Sequence, residues 1–187
     1  MHALVARQDS AGDVLLAGPA VRAVAAGADR VTLLCGPLGR QAAALLPGVD
    51  DVAVRPAEWI DAEPGRIARG AVEAWVDDLA ARRIDCAVIL TSFHQSPLPL
   101  ALLLRMAGVP RIGATSVDYP GSLLDVRHAV DDDVPEPERA LSLARAAGFA
   151  LPDGDDGRLA VRRPLPAVDQ AGRYVVLHPG ASVPARA

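Results

Sequence analysis

The opening of the chain decides the fold, and from residue 3 to residue 16 it reads ALVARQDSAGDVLL. Residues 3–7 are mostly apolar and predict a buried strand, which ends in a polar turn at residues 8–13. A helix is predicted over residues 14–26, because small apolar side chains repeat there at helical spacing. Pro19 must lie in the first turn of a helix or kink it, since proline has no backbone N–H to donate. A strand, a short turn and a helix together indicate an α/β fold.

The same alternation continues along the chain. Short apolar runs predict further strands, longer amphipathic segments predict helices, and residues 118–133 are predicted to be irregular. Near-continuous apolar strands separated by helices predict a Rossmann-like parallel sheet with helices on both faces, in which ligands bind beyond the carboxyl ends of the strands. The strands are predicted at residues 31–35, 51–55, 86–91, 111–114, 159–162 and 174–178, the helices at 38–46, 66–83, 99–107 and 136–147, and the turns of the binding edge at 8–13, 36–39, 92–97 and 178–182.

The composition excludes several classes of function. The chain has 187 residues, and all 19 of its basic residues are arginine. Without lysine it has neither the Walker A lysine that reaches nucleotide phosphates nor an amine for Schiff-base catalysis. The net charge is −4, the arginines are scattered and only 3% of the residues are aromatic, so a nucleic-acid-binding face is not expected.

Other features indicate the compartment. Cys35 and Cys86 lie in apolar runs and are predicted to be buried thiols in a reducing environment, with neither a disulfide nor a zinc site. No signal peptide is visible at the N-terminus, and the most apolar stretch, residues 98–109, is too short to span a bilayer. We therefore expect a soluble, cytoplasmic protein.

The first turn carries two aspartates and one glycine where a dinucleotide-binding protein would have G-x-G-x-x-G. Carboxylates at a helix N-terminus repel phosphate, but they suit a helix cap or a proton acceptor. Asp9 and Asp13 are therefore candidate functional residues. From the spacing alone, a simple helix N-cap is the more common role for Asp13.

Three other groups of polar residues are ambiguous. The turn at 178–182, which contains Gly180 and Ser182 and is followed by Arg186, could present N–H groups and a guanidinium to a phosphate, or could be a plain turn. His94, Gln95 and Ser96 follow a predicted strand at the ligand edge, but no acidic partner is near them in sequence, and an ordinary solvated loop is the favoured interpretation. The acidic residues 131–133, Glu136 and Glu138 could attract a cation, but they more simply favour the N-terminus of the next helix.

Four sequence motifs occur in an order and spacing that resemble glycosyltransferase family 9, the lipopolysaccharide heptosyltransferase family. They are R-x-D-x-x-G-D-V-L-L at residues 7–16 with Pro19-Ala20 and Arg22, A-G-V-P-R-I-G at 107–113, Arg127-His128 followed by Glu138-Arg139, and V-V-L-H-P-G-A-S at 175–182. The resemblance implies a GT-B architecture of two Rossmann-like domains, of which this chain would supply the acceptor-side domain and the start of the second. It also implies inverting transfer without a metal or other cofactor, typically of heptose from ADP-heptose to a lipopolysaccharide acceptor.

The resemblance also implies roles for individual residues. Asp13 would be the catalytic base, and this implication favours that role over the N-cap. The acceptor would be bound by residues of the turns at 8–13 and 92–97. The diphosphate of the donor would be bound at and after the turn at 178–182, where Arg186 stands in place of the family's usual lysine. The acceptor group is Gly12, Asp9, His94, Gln95 and Ser96, and the donor-phosphate group is Gly180, Ser182 and Arg186.

The expected domain organisation is an acceptor-side domain at residues 1–162, a linker at 163–172, and the first strand and turn of a truncated donor-binding domain at 173–187. Alone, such a fragment is expected to be inactive. The partners are a nucleotide-sugar and a glycan or glycolipid, and peripheral contact with the inner face of the membrane is expected only if the acceptor is lipid-linked. The alternatives are a non-catalytic sugar- or lipid-binding domain, an inactive gene fragment, and, less favoured, a nucleotide-sugar 2-epimerase.

Overall fold

The structure is a computed structural model that describes residues 1–61, 63–92, 94–131 and 133–164, together with Gly172, Arg173, Val175 and Leu177. The described part of the chain contains six strands and six helices. They are β1 (His2–Arg7), α1 (Ala11–Leu16), α2 (Gly18–Gly27), β2 (Arg30–Cys35), α3 (Arg40–Leu45), β3 (Asp51–Val54), α4 (Arg69–Ala81), β4 (Cys86–Ile89), α5 (Leu98–Met106), β5 (Arg111–Thr115), β6 (Val126–His128) and α6 (Glu136–Ala146), with short 3₁₀ turns at Pro37–Gly39 and Gly121–Leu123.

The strands form one parallel sheet in the order β3-β2-β1-β4-β5-β6. The chain therefore reverses its direction of travel across the sheet between β1 and β4, which are neighbours. In a doubly wound sheet the crevice at such a reversal is the usual ligand site. The predicted Rossmann-like α/β fold is confirmed.

Helices cover both faces of the sheet, and β1 shows why. Ala3 and Val5 belong to one buried cluster, with residues of α1, α2, α3 and α6. Leu4 and Ala6 point the opposite way, into a second buried cluster with residues of α4 and α5. Because successive side chains of a strand alternate between faces, an apolar run of this kind requires a core on each side.

Three predictions about individual elements need correction. The helix predicted at 14–26 is two helices, α1 and α2, and Pro19 lies in the first turn of α2, where its missing N–H costs no hydrogen bond. The segment predicted to be irregular contains β6, a short edge strand of three residues. Residues 159–162 form no strand; there Arg162 instead donates its backbone N–H to the carbonyl of Leu45.

Both cysteines are free and buried, as predicted. Burial raises the pKa of the Cys35 thiol to about 11 and also raises the pKa of Cys86, so both remain protonated thiols. Among the described residues, no helix is long and apolar enough to cross a membrane. The predicted linker and second-domain segment lie almost entirely outside the described residues, so those boundaries stay predictions.

Candidate functional site

The turn after β1 is built around a capping box. Ser10 is the N-cap of α1 and Asp13 is the third residue of that helix. The Oδ2 atom of Asp13 accepts hydrogen bonds from Ser10 Oγ at 2.7 Å and from the Ser10 N–H at 3.2 Å. Asp13 is therefore not the N-cap, which was the alternative role considered for it. A capping box uses the third-position carboxylate to satisfy a free backbone N–H.

The second oxygen of Asp13 faces a buried guanidinium. Arg7, the last residue of β1, is only 1% exposed, and its Nη2 lies 3.3 Å from Asp13 Oδ1. The same guanidinium donates to Glu136 Oε1 at 2.5 Å and to Ser92 Oγ at 2.7 Å. Its Nε lies 2.9 Å from Asp9 Oδ2, although that N–H is not directed at an acceptor. Three carboxylates from two segments, the turn after β1 and the start of α6, thus meet at one cation, as a buried charge requires.

The loop after β4 completes this network. Ser92 Oγ donates to Asp9 Oδ2 at 2.7 Å, and Gln95 Nε2 donates to Asp9 Oδ1 at 2.8 Å. Gln95 in turn accepts the backbone N–H of Ser92 at 3.1 Å. We call these six residues, Arg7, Asp9, Asp13, Ser92, Gln95 and Glu136, the Arg7 cluster. It joins the turns after β1 and β4 at the point where the sheet reverses.

A pocket of about 250 Å³ opens beside the cluster. Asp9, Ser10, Asp13, Gly36, Asp61 and Gln95 are among its lining residues. A second pocket of about 370 Å³ lies across the loop after β4, where His94, Ser96 and Asp118 contribute to the walls. Polar groups at the carboxyl ends of parallel strands, beside an open pocket, form the usual ligand-binding arrangement of this kind of sheet.

The predicted site residues occupy different positions around this pocket. Asp13 has a side chain that is 30% exposed, whereas that of Asp9 is 7% exposed and is held inside the cluster. Gly12 is exposed, and a Cβ there would meet only Ser10 Oγ at 3.6 Å, so packing within the chain does not require glycine. His94 is exposed with a φ of 69°, and Ser96 Oγ accepts the N–H of Leu98 at the start of α5. The turn at 178–182 and Arg186 lie outside the described residues.

The sequence reasoning missed Arg7, Ser92 and Gly36. An arginine that ends an apolar strand was a usable signal, because a charge at the end of a buried strand needs nearby partners. Gly36 permits a close approach: a Cβ there would lie 2.5 Å from the carbonyl oxygen of Gln8. For Glu136 the sequence favours a place at a helix N-terminus over a cation site, and it lies in the first turn of α6. Its contact with Arg7 spans 129 residues and follows from the fold alone.

The described residues contain no group of three or more His, Cys, Asp or Glu side chains arranged to hold a metal ion. The acidic residues near 131–133 therefore give no sign of a cation site in the part of that segment that the structure describes.

No family model matches the chain, and no curated protein matches its sequence. Solved structures do match. E. coli heptosyltransferase WaaC with ADP-2-deoxy-2-fluoro heptose aligns with a TM-score of 0.62 at 16% identity, over 83% of this chain and 51% of that one. The family 9 glycosyl transferase of Veillonella parvula DSM 2008 aligns with a TM-score of 0.62 at 14% identity, over 86% of this chain and 44% of that one.

The chain shares its fold with the heptosyltransferases. The chain spans about half the length of the solved structures it matches. WaaC has also been solved with ADP, and that structure aligns with a TM-score of 0.60 at 16% identity, over 82% of this chain and 49% of that one. The resemblance drawn from the four motifs is thus matched by a likeness in three dimensions, which at these identities is a likeness of fold.

Proposed function

We propose that this chain is the acceptor-side domain of an inverting glycosyltransferase. The donor would be a nucleotide-sugar, ADP-heptose first among the candidates, and the acceptor a lipopolysaccharide core sugar or a related glycan or glycolipid. The observation that carries the proposal is the Asp13 carboxylate, which is held at both oxygens and opens on a pocket at the reversal point of the sheet. The heptosyltransferase fold and the motif around Asp13 support it.

The proposed reaction needs a base for the acceptor hydroxyl and a group that stabilises the departing diphosphate. The acceptor hydroxyl forms a bond to the anomeric carbon of the donor while the bond from that carbon to the diphosphate oxygen breaks, which inverts the configuration. The proton of the hydroxyl passes to the Asp13 carboxylate. A carboxylate in hydrogen-bond reach of the hydroxyl typically contributes about 100-fold or more to the rate of such a step.

Two separate groups of residues are proposed to bind the donor and the acceptor. Gly180 and Ser182 are proposed to bind the diphosphate of the donor, and Arg186 to stabilise it as it departs. Arginine supplies a planar fork of donors where lysine would supply a point charge, and this suits two phosphate oxygens at once. On the acceptor side, Gly12, His94, Gln95 and Ser96 are proposed to contact the sugar, while Asp9 is held by Ser92 and Gln95. We place the reaction on the cytoplasmic side, without a metal.

The test is a transfer assay with the complete gene product. The donors are ADP-heptose and a panel of other nucleotide-sugars, the acceptors are lipopolysaccharide core oligosaccharides and simple glycosides, and mass spectrometry detects the product. With a productive pair, Asp13→Asn is expected to lower kcat by about 100-fold or more. The matched control is Asp77→Asn, on the exposed face of α4, which is expected to keep kcat within about twofold.

The outcomes also separate the other functions. Wild-type kcat in Asp13→Asn would refute the base assignment. A changed donor sugar in the absence of any acceptor would indicate a 2-epimerase instead. Donor or acceptor binding in calorimetry, with no turnover for any pair, would favour a non-catalytic binding domain.

A further inference from the structure

Arg7 differs from every other arginine in the described part of the chain in its burial, since it is the largest fully buried side chain there. Arg7 is the last residue of β1, and its guanidinium contacts Asp13 in the segment that follows the strand. Taking a guanidinium out of water is unfavourable unless its donors and its charge are matched by partners. Its partners come from three places: the turn after β1, the loop after β4 and the start of α6.

The contact between Arg7 and Asp13 is longer than the hydrogen bonds of Arg7 to its other partners. The bonds to Glu136 and Ser92 are 2.5 and 2.7 Å long, and the contact with Asp13 Oδ1 is 3.3 Å. The other oxygen of Asp13 accepts hydrogen bonds from the N–H and the hydroxyl of Ser10. The carboxylate is therefore fixed in direction by two sets of donors, while 30% of its side chain remains exposed toward the pocket.

Arg7 is in turn fixed by two groups besides Asp13, and one of them, Ser92, lines the pocket beside Asp13. Glu136 anchors Nη1, and Ser92, itself hydrogen-bonded to Asp9, anchors Nη2. An arginine fixed this firmly can hold a weaker partner in one orientation, because its planar fork loses little freedom on forming each bond. Stability alone does not call for this arrangement, since apolar side chains of similar volume often replace buried ion pairs without loss.

We infer that Arg7 is a positioning residue, which acts through Asp13 by aiming its carboxylate at the acceptor hydroxyl. This inference rests on the proposed function. Arg7 itself contacts neither substrate. Replacing Arg7 lowers kcat, because a base displaced by a fraction of an ångström loses its alignment with the hydroxyl. The KM for the donor stays nearly unchanged.

The test is a double-mutant cycle of Arg7→Met and Asp13→Asn in the complete gene product. Arg7→Met is expected to lower kcat about 10- to 100-fold in the wild-type background and less than about threefold in the Asp13→Asn background. The KM for the donor is expected to change less than about twofold, and Arg7→Lys to restore part of the lost kcat. Arg22→Met is the matched control, because Arg22 also forms a carboxylate pair but lies outside the cluster.

The outcomes distinguish a failure of this inference from a failure of the proposed function. If Asp13→Asn keeps wild-type activity, the base assignment fails and the proposed function with it. If Asp13→Asn lowers kcat as expected but Arg7→Met costs the same factor in both backgrounds, Arg7 is merely structural and only the inference fails. Should Arg7→Met not fold, the cycle is run with Arg7→Lys, and equal losses in both backgrounds again overturn the inference.

Discussion

Two arginines in this chain are paired with carboxylates in very different ways. In what we call the Arg22 clasp, Arg22 of α2 donates Nε to Asp155 Oδ2 at 2.6 Å and Nη2 to Asp155 Oδ1 at 2.8 Å, with a further bond from Nη2 to the carbonyl of Arg158. The two side chains are 10% and 16% exposed. This is a bidentate pair with one carboxylate for one guanidinium, the geometry that binds most strongly.

The Arg7 cluster has three carboxylates for one guanidinium. Asp9, Asp13 and Glu136 share one cation, and Arg7 Nε has a carboxylate nearby without a directed hydrogen bond. The clasp ties residues 155–158 to α2, whereas the cluster leaves Asp13 partly exposed at a pocket. Arg22 Nη1 is also buried without a hydrogen-bond partner, so the two regions differ in their balance of charge. A pair of one cation and one carboxylate serves stability, while a surplus of negative charge beside a pocket remains available to a ligand.

The largest effect on the cluster, apart from changes to its own side chains, is expected from Gly36→Ala. The added Cβ would lie 2.5 Å from the backbone oxygen of Gln8, so the turn that carries Asp9 and Asp13 must shift. We expect a loss of about 1–3 kcal/mol in the free energy of unfolding, measured in urea, together with a lower kcat. The control is Gly70→Ala, where nothing lies within 4 Å of the added Cβ. An unchanged kcat in Gly36→Ala would show that the position of this turn does not affect catalysis.

For the Arg22 clasp we expect a loss of stability without a loss of kcat. Asp155→Asn removes the carboxylate but leaves Arg22 in place, and it is expected to lower the free energy of unfolding by about 1 kcal/mol. The kcat is expected to stay within about twofold, because neither residue lines the pocket beside Asp13. Thermal unfolding and the transfer assay measure the two quantities. A large loss of kcat in a variant of unchanged stability would contradict the division between clasp and cluster.

The smallest effect is a dependence on pH. Hydrogen bonds from Arg22 and from the Gly157 N–H lower the pKa of Asp155 from 3.8 to about 2. A carboxylate with a lowered pKa in the folded state stabilises the protein above pH 3.8, and this contribution is lost as the pH falls toward 2. The difference in melting temperature between the wild type and Asp155→Asn should therefore shrink over that range. A constant difference from pH 6 to pH 2.5 would contradict this role of Asp155.

The sequence was sufficient to predict the sheet, because the apolar runs of β1, β2 and β4 are unambiguous and the segments between them are long enough for helices. It was less informative where an element is short. The three residues of β6 carry no periodicity of their own, and they join the sheet because β5 offers an edge. Residues 159–162 are apolar enough for a strand but form none, and Arg162 binds carbonyls near α3 instead.

The site was predicted only where its residues are close in sequence. The turn with Asp9 and Asp13 could be located because it follows the first strand directly. The partners of that turn could not, since Ser92 and Glu136 approach Arg7 from 85 and 129 residues away. Only the strand order brings them together. The residues expected to hold the donor phosphates lie outside the described residues, and their roles stay predictions.

The most direct test compares the same substitution in the two regions. Asp13→Asn and Asp155→Asn each replace one carboxylate that contacts an arginine, and kcat is measured for both in the complete gene product at saturating donor. The account predicts that Asp13→Asn loses about 100-fold or more of kcat even where the protein remains folded, although its melting temperature also falls because the capping box is weakened. Asp155→Asn is expected to keep its kcat and to melt at a lower temperature. Equal kcat values in the two variants would contradict the assignment of Asp13 as the base.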